Sequence, residues 1–150
     1  MAAGSQLSLK GRALRLLSGR EHSRSELERK LAAHEQEPGQ LQRVLDELQA
    51  KGFIDHARVA ESVIHRRAGK LGAARIRQEL QGKGLDPELV AEAVAALRST
   101  EVQRAREVWR RKFDHAPIDA AERGKQARFL AARGFSAEAI YRVLNAREGE

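Results

Sequence analysis

Side chains able to do chemistry are few in this 150-residue chain, apart from its cations. The five histidines, His22, His34, His56, His65 and His115, are scattered. No two stand at i, i+4, and neither HExxH nor CxxC occurs, so no metal centre is expected. A serine, a histidine and an aspartate are present, as in most proteins, but no spacing marks them as a triad. No glycine-rich phosphate loop follows a strand, and no cofactor is expected. The absence of cysteine excludes disulfides and thiolate ligands and fits a reducing compartment.

What remains is cationic chemistry. The formal net charge is +7, and the excess is clustered. His65 to Gln78 carries Arg66, Arg67, Lys70, Arg75 and Arg77 with no acid, and Gln103 to Lys112 carries Arg104, Arg106, Arg110, Arg111 and Lys112 against Glu107 alone. Arg123, Lys125, Arg128 and Arg133 follow, again without an acid between them. A solvated helix face could carry any one of these clusters. Three on one small chain point to a polyanion or an acidic protein surface as partner, and so to a binding protein. Arginine suits phosphate and carboxylate equally.

The elements that must position these cations are helices. Leu41, Val44, Leu45 and Leu48 fall at helical spacing, as do Val102, Ala105, Val108, Trp109 and Phe113, and no strand alternation competes. The fold class is all-α, with about nine helices. Ser23 to Glu26 and Asp119 to Glu122 form capping boxes, Asp86 with Pro87 reads as N-cap and N1, and Ser136 caps the last helix. Gly52, Gly84 and Gly134 each follow a lysine or arginine and are expected to act as helix stops rather than contact points. Arg147 to Glu150 is expected to fray.

The helices recur. Leu14, Val63 and Phe113 are separated by 49 and 50 residues, and the same intervals separate Leu31, Leu80 and Leu130. They return for Leu41, Val90 and Ile140 and for Leu45, Val94 and Leu144. The chain is therefore three tandem three-helix repeats, over 8–52, 53–98 and 99–147, with Pro38 and Pro87 at the start of the third helix in two of them. A unit of about fifty residues buries little surface alone, so the copies should stack into an elongated array on the order of 60 Å long. The register is broken at Glu35, which stands where the other copies have Gly84 and Gly134. Every repeat but the terminal ones has two neighbours, so a monomer is expected. With no apolar h-region at its start and no long apolar run, neither a signal peptide nor a membrane span is expected, and a cytoplasmic location follows.

Three-helix units raise the alternative of a helix-turn-helix-like protein acting on duplex DNA. The third helix of copy two turns Glu88, Ala91, Glu92 and Ala95 outward, which phosphates would repel, while Arg142 and Asn145 of copy three are better placed to read bases. Trp109 shares the apolar stripe and is a core anchor rather than a base-stacking platform.

The run "LQAKGFIDHARVAESVIHRRAGKLGAARIRQELQGKGLDPELVAEAV", Leu48 to Val94, closely resembles the RecX family of recombination regulators. Gly52 with Asp55, then Gly72, Arg75, Ile76, Glu79, Leu80, Lys83 and Gly84, carry the resemblance, and "FLAARGFSAEAIYRVL", Phe129 to Leu144, is similar to that family's closing repeat. Val59 departs from it, standing where members often carry an aromatic, and the first repeat matches loosely. The resemblance implies three tandem three-helix repeats and an inhibitor of the RecA recombinase. Such a protein binds the RecA filament on single-stranded DNA along its groove, with weak direct DNA binding, and suppresses ATP hydrolysis, strand exchange and co-protease activity. No contact motif of the family transfers residue by residue. The partner-binding residues expected here, Arg66, Arg67, Lys70, Arg75, Arg77, Arg104, Arg106, Arg110, Arg111, Arg123, Lys125 and Arg128, rest on charge alone.

Overall fold

The computed structural model describes residues 6–146. Arg147 to Glu150, expected to fray, lie outside the described residues, as do residues 1–5. Nine α-helices and one 3₁₀ turn make up the regular structure among the described residues. They are α1 (Leu9–Gly19), α2 (Arg24–Leu31), α3 (Gln40–Ala50), α4 (His56–Arg67), α5 (Ala73–Gly82), α6 (Pro87–Arg98), α7 (Glu101–Lys112), α8 (Ala120–Ala132) and α9 (Ala137–Leu144). Each successive three gather round a core of their own. Leu27, Leu31, Leu45 and Leu48 centre the first, Val63, Ile76, Leu80 and Val94 the second, and Ala105, Leu130, Val143 and Leu144 the third. The triplets Leu31, Leu80, Leu130 and Leu45, Val94, Leu144 are buried in all three copies, which is why the 50-residue interval is legible.

Local chemistry starts the helices where expected. Ser23 and Glu26 close a reciprocal capping box on α2, while Asp55, Asp86, Asp119 and Ser136 each accept a first-turn N–H. The box at Asp119 is only half formed, because Glu122 reaches back to the N–H of Ile118 instead. Pro38 does not start α3: Gly39 is its N-cap, so the parallel with Pro87 at N1 of α6 fails. Trp109 packs against the third core and donates its indole N–H to the Gln126 carboxamide at 2.8 Å, as a core anchor would.

The joint between repeats two and three is built largely from backbone. Helix α5 has no side-chain cap, since its N-cap is Gly72. Repeat three supplies the cap instead: Gly72 N–H donates to the Arg133 carbonyl at 2.7 Å, Ala74 N–H to that of Gly134 at 3.2 Å, and Ala73 N–H to the buried Glu101 carboxylate at 2.6 Å. A Cβ on Gly72 would stand 2.3 Å from the Gly134 carbonyl, so only glycine permits the approach. Gly134 has φ +90°, and a Cβ there would meet Arg75 at 2.5 Å. It is thus a helix stop and a contact point at once, and the same correction holds for Gly84, whose Cβ would lie 2.8 Å from Ser25.

The first joint uses the same two places, one repeat earlier, with different chemistry. Lys83, just before Gly84, pairs with Glu26 on α2 at 3.2 Å, and Glu26 also takes Arg20 at 2.7 Å. Beside it the buried His22 donates from Nδ1 to the Arg20 carbonyl and accepts from the Lys30 ammonium at Nε2. A carbonyl only accepts and an ammonium only donates, so this pairing holds His22 as the neutral Nδ1–H tautomer.

Candidate functional site

The expected cations divide into those absorbed by the fold and those left at its surface. Arg104 belongs to the first group and corrects the expectation that it projects freely from α7. Its guanidinium donates to the carbonyls of Ala68 at 2.9 Å, Leu71 at 2.7 Å and Leu97 at 3.2 Å. Only 13 % of its side chain is exposed, and burial lowers its pKa while Glu101 opposes that shift. It closes the exposed C-terminal carbonyls of α4 and α6 against repeat three, a use to which a guanidinium fork is well suited. Arg75 likewise donates to the Ala132 carbonyl at 2.7 Å across the same joint, although its side chain stays accessible.

Others are partly neutralised. Arg67 pairs with Glu79 at 3.1 Å, and Arg66 stands 3.9 Å from the same carboxylate. Arg110 pairs with Glu107 at 2.9 Å. These exposed pairs contribute about 0–1 kcal/mol to stability and leave the arginines able to exchange partners. Arg111 donates to the Gly69 carbonyl at 3.1 Å and so ties α7 to the turn after α4. Lys70, Arg77, Arg106, Arg123, Lys125 and Arg128 have no carboxylate within 4.0 Å among the described residues.

Of the expected cations, tertiary structure brings Lys70, Arg77 and Arg111 to two concavities beside the second joint. One is a groove of about 610 Å³ where Arg77, Arg98 and Arg142 face Glu101 and Glu138. The other is a notch of about 310 Å³ with Val108 and Phe129 as its floor and Lys70, Arg111, Lys112 and Arg133 as its rim. The notch unites cations from all three charge runs, which lie tens of residues apart in sequence. Lys112 and Arg133 had been visible only as members of runs, and Arg133 as the cation before a helix-stopping glycine. Phe129 carried no surface signal at all. The arginine stacks on its ring, with its guanidinium carbon 3.9 Å from the centroid.

Helix α6 exposes Glu88, Ala91, Glu92 and Ala95, and on α9 the exposed Arg142 is paired with Glu138 at 3.1 Å. No group of metal-ligating side chains assembles among the described residues, and no helix there is long and apolar enough to cross a membrane.

Family models describing the first, second and third three-helix domains of RecX match residues 10–48, 55–94 and 99–144. A protein named Regulatory protein RecX from Leptothrix cholodnii is 54 % identical over 145 residues, covering 97 % of this chain and 92 % of its own length. One of the same name from Herminiimonas arsenicoxydans is 52 % identical over 143 residues, 95 % of each chain. In fold, a crystal structure of RecX from Lactobacillus salivarius matches with a TM-score of 0.78, at 20 % identity, over 91 % of this chain and 92 % of that one.

Proposed function

The chain belongs to the RecX family of regulatory proteins, and from that premise we propose that it binds the RecA filament on single-stranded DNA, along the filament groove, and inhibits ATP hydrolysis, strand exchange and co-protease activity. It acts in the cytoplasm as a monomeric binding protein, with weak direct DNA affinity. The observation that carries this reading is the gathering of cations beside the second joint of a three-unit body. A surface that extends over successive units suits a repeating assembly better than a single small ligand. Arg66, Arg67, Lys70, Arg77, Arg106, Arg110 and Arg111 from repeats two and three, with Arg123, Lys125 and Arg128 of α8, reach acidic recombinase surface or DNA backbone. Arg75 and Arg104 hold the joint that presents them. Preference for one filament state over another is what shifts the assembly equilibrium.

Titration of the protein into a RecA filament hydrolysing ATP on single-stranded DNA tests this, beside anisotropy on bare single- and double-stranded DNA across salt. Hydrolysis is expected to fall at substoichiometric protein, while bare-DNA binding is weak and fades with a slope of only a few phosphates. The folded double variant Arg106→Glu, Arg110→Glu is expected to lose inhibition. Unchanged hydrolysis together with sequence-dependent, salt-resistant duplex binding would instead favour a helix-turn-helix reader.

A further inference from the structure

The notch between repeats two and three holds a specific combination: an apolar floor, four cations at its rim and no carboxylate in its lining. Helix stability does not explain all of these cations. Arg111 is engaged with the Gly69 carbonyl, and Arg133 lies flat on Phe129, but the side chains of Lys70 and Lys112 make no hydrogen bond or ion pair among the described residues. Gathering like charges without a partner is unfavourable for the free protein, which makes the cluster informative about what it meets.

We propose that this notch docks an acidic peptide segment carrying one apolar side chain, the side chain seated against Val108 beside the covered Phe129 ring and its flanking carboxylates on the four cations. Two features select a peptide over nucleic acid. A nucleobase needs a free ring face on which to stack. The Phe129 ring is already engaged: the Arg133 guanidinium covers it at 3.9 Å, the Lys112 ammonium lies 5.8 Å from its centroid, and Phe113 meets it edge to face with centroids 5.2 Å apart. The volume, about 310 Å³, sits at the small end of ligand sites and suits a single anchoring side chain. The stacked guanidinium is immobilised with its N–H edge free, a geometry that accepts a carboxylate in bidentate fashion at reduced entropic cost. Because the floor comes from α7 and α8 and Lys70 from the turn after α4, the notch exists only when the second joint is closed. Occupancy therefore also reports on that joint.

The inference stands apart from the filament reading, since it concerns what the notch holds whichever protein supplies the segment. It is tested on the full chain by anisotropy with a fluorescein-labelled, amidated peptide of four aspartates followed by one phenylalanine. Replacing that phenylalanine by alanine in the peptide is expected to weaken binding about tenfold, from the apolar burial lost. The double variant Lys70→Ser, Lys112→Ser is expected to weaken it about fivefold, with thermal unfolding shifted little, because the Lys70 side chain bonds nothing among the described residues and Lys112 gives only a distant cation–π contact to Phe129. Equal affinity for the alanine peptide, or wild-type affinity in the double variant, overturns the proposal. So does an oligothymidylate of equal charge whose binding falls in the double variant while peptide binding does not, which would assign the notch to a phosphodiester backbone. No recombinase is present in these titrations, so their failure leaves the ATP hydrolysis result to be judged separately.

Discussion

Glu26 shows how much one side chain does here. Burial works against its ionised form, but Arg20, the Ser23 N–H and Lys83 outweigh it and hold the carboxyl at about 2. Next to it, burial pushes the His22 imidazole below 6.5, with the charges of Arg20 and Lys30 acting in the same sense against the Arg20 carbonyl and Glu26. Both shifts act on stability in one direction. A depressed histidine means that the unfolded chain binds a proton the folded one refuses, so stability is lost as pH falls below about 6.5. A depressed carboxylate contributes stability above its ordinary 4.5 that disappears as pH falls toward 2. The first joint should therefore loosen in acid. Amide exchange on α2 is expected to accelerate relative to α8 as pH is lowered from 7 to 4, after correction for intrinsic rates. In Glu26→Gln that acid step should be reduced, with the joint weaker already at pH 7. Equal pH dependence at both helices would contradict this. The capping box at Ser23 was readable from four letters, whereas the pairing of Glu26 with Lys83, 57 residues away, was not.

At the scale of elements, several of the residues that made the sequence recognisable turn out to be those of the joints. Gly72 and Gly134 approach each other, Arg75 spans them, and Lys83 and Gly84 meet α2. Each could be seen in the sequence as a helix end or a charged face. None announced that it touched another repeat, because short-range signals describe only the helix that carries them. The distinction is measurable. Gly52 has φ +84° but nothing within 4 Å of an added Cβ, so Gly52→Ala should cost about 1–2 kcal/mol from conformation alone. Gly134→Ala adds a clash with Arg75 and should cost at least 1 kcal/mol more by urea denaturation. Comparable losses would mean that the joint yields freely. Arg104 teaches the same lesson from the charged side: in a basic run it looks like its neighbours, yet three carbonyls hold it.

The whole molecule is an array of three units. Its accessible surface is 9573 Å², against about 7600 Å² for a compact monomer of 16.7 kDa, as three stacked units would give. The second joint uses a glycine turn on one side and an open helix start on the other. Repeat one lacks the glycine: Glu35 adopts φ −70°, ψ 130°, and its carboxylate accepts from the Leu41 N–H, so the turn is longer and differently shaped. Repeat three lacks the open start, because α8 begins at Ala120 and the position matching Gly72 is Glu122, already inside the helix. Neither end therefore offers the backbone geometry of the second joint. Sedimentation velocity is expected to show one monomeric species, independent of concentration, and a concentration-dependent dimer would contradict it. By itself the sequence determined the helices, their caps, the threefold repetition and the excess of cations, because periodicity and capping act within a few residues of themselves. Only the tertiary structure decided which cations serve the fold and which face outward, that the second joint is capped by backbone from the next repeat, and that Lys70, Arg111, Lys112 and Arg133 gather around Phe129. Those outcomes depend on how one three-helix unit is rotated onto the next, and side chains about fifty residues apart set that angle together.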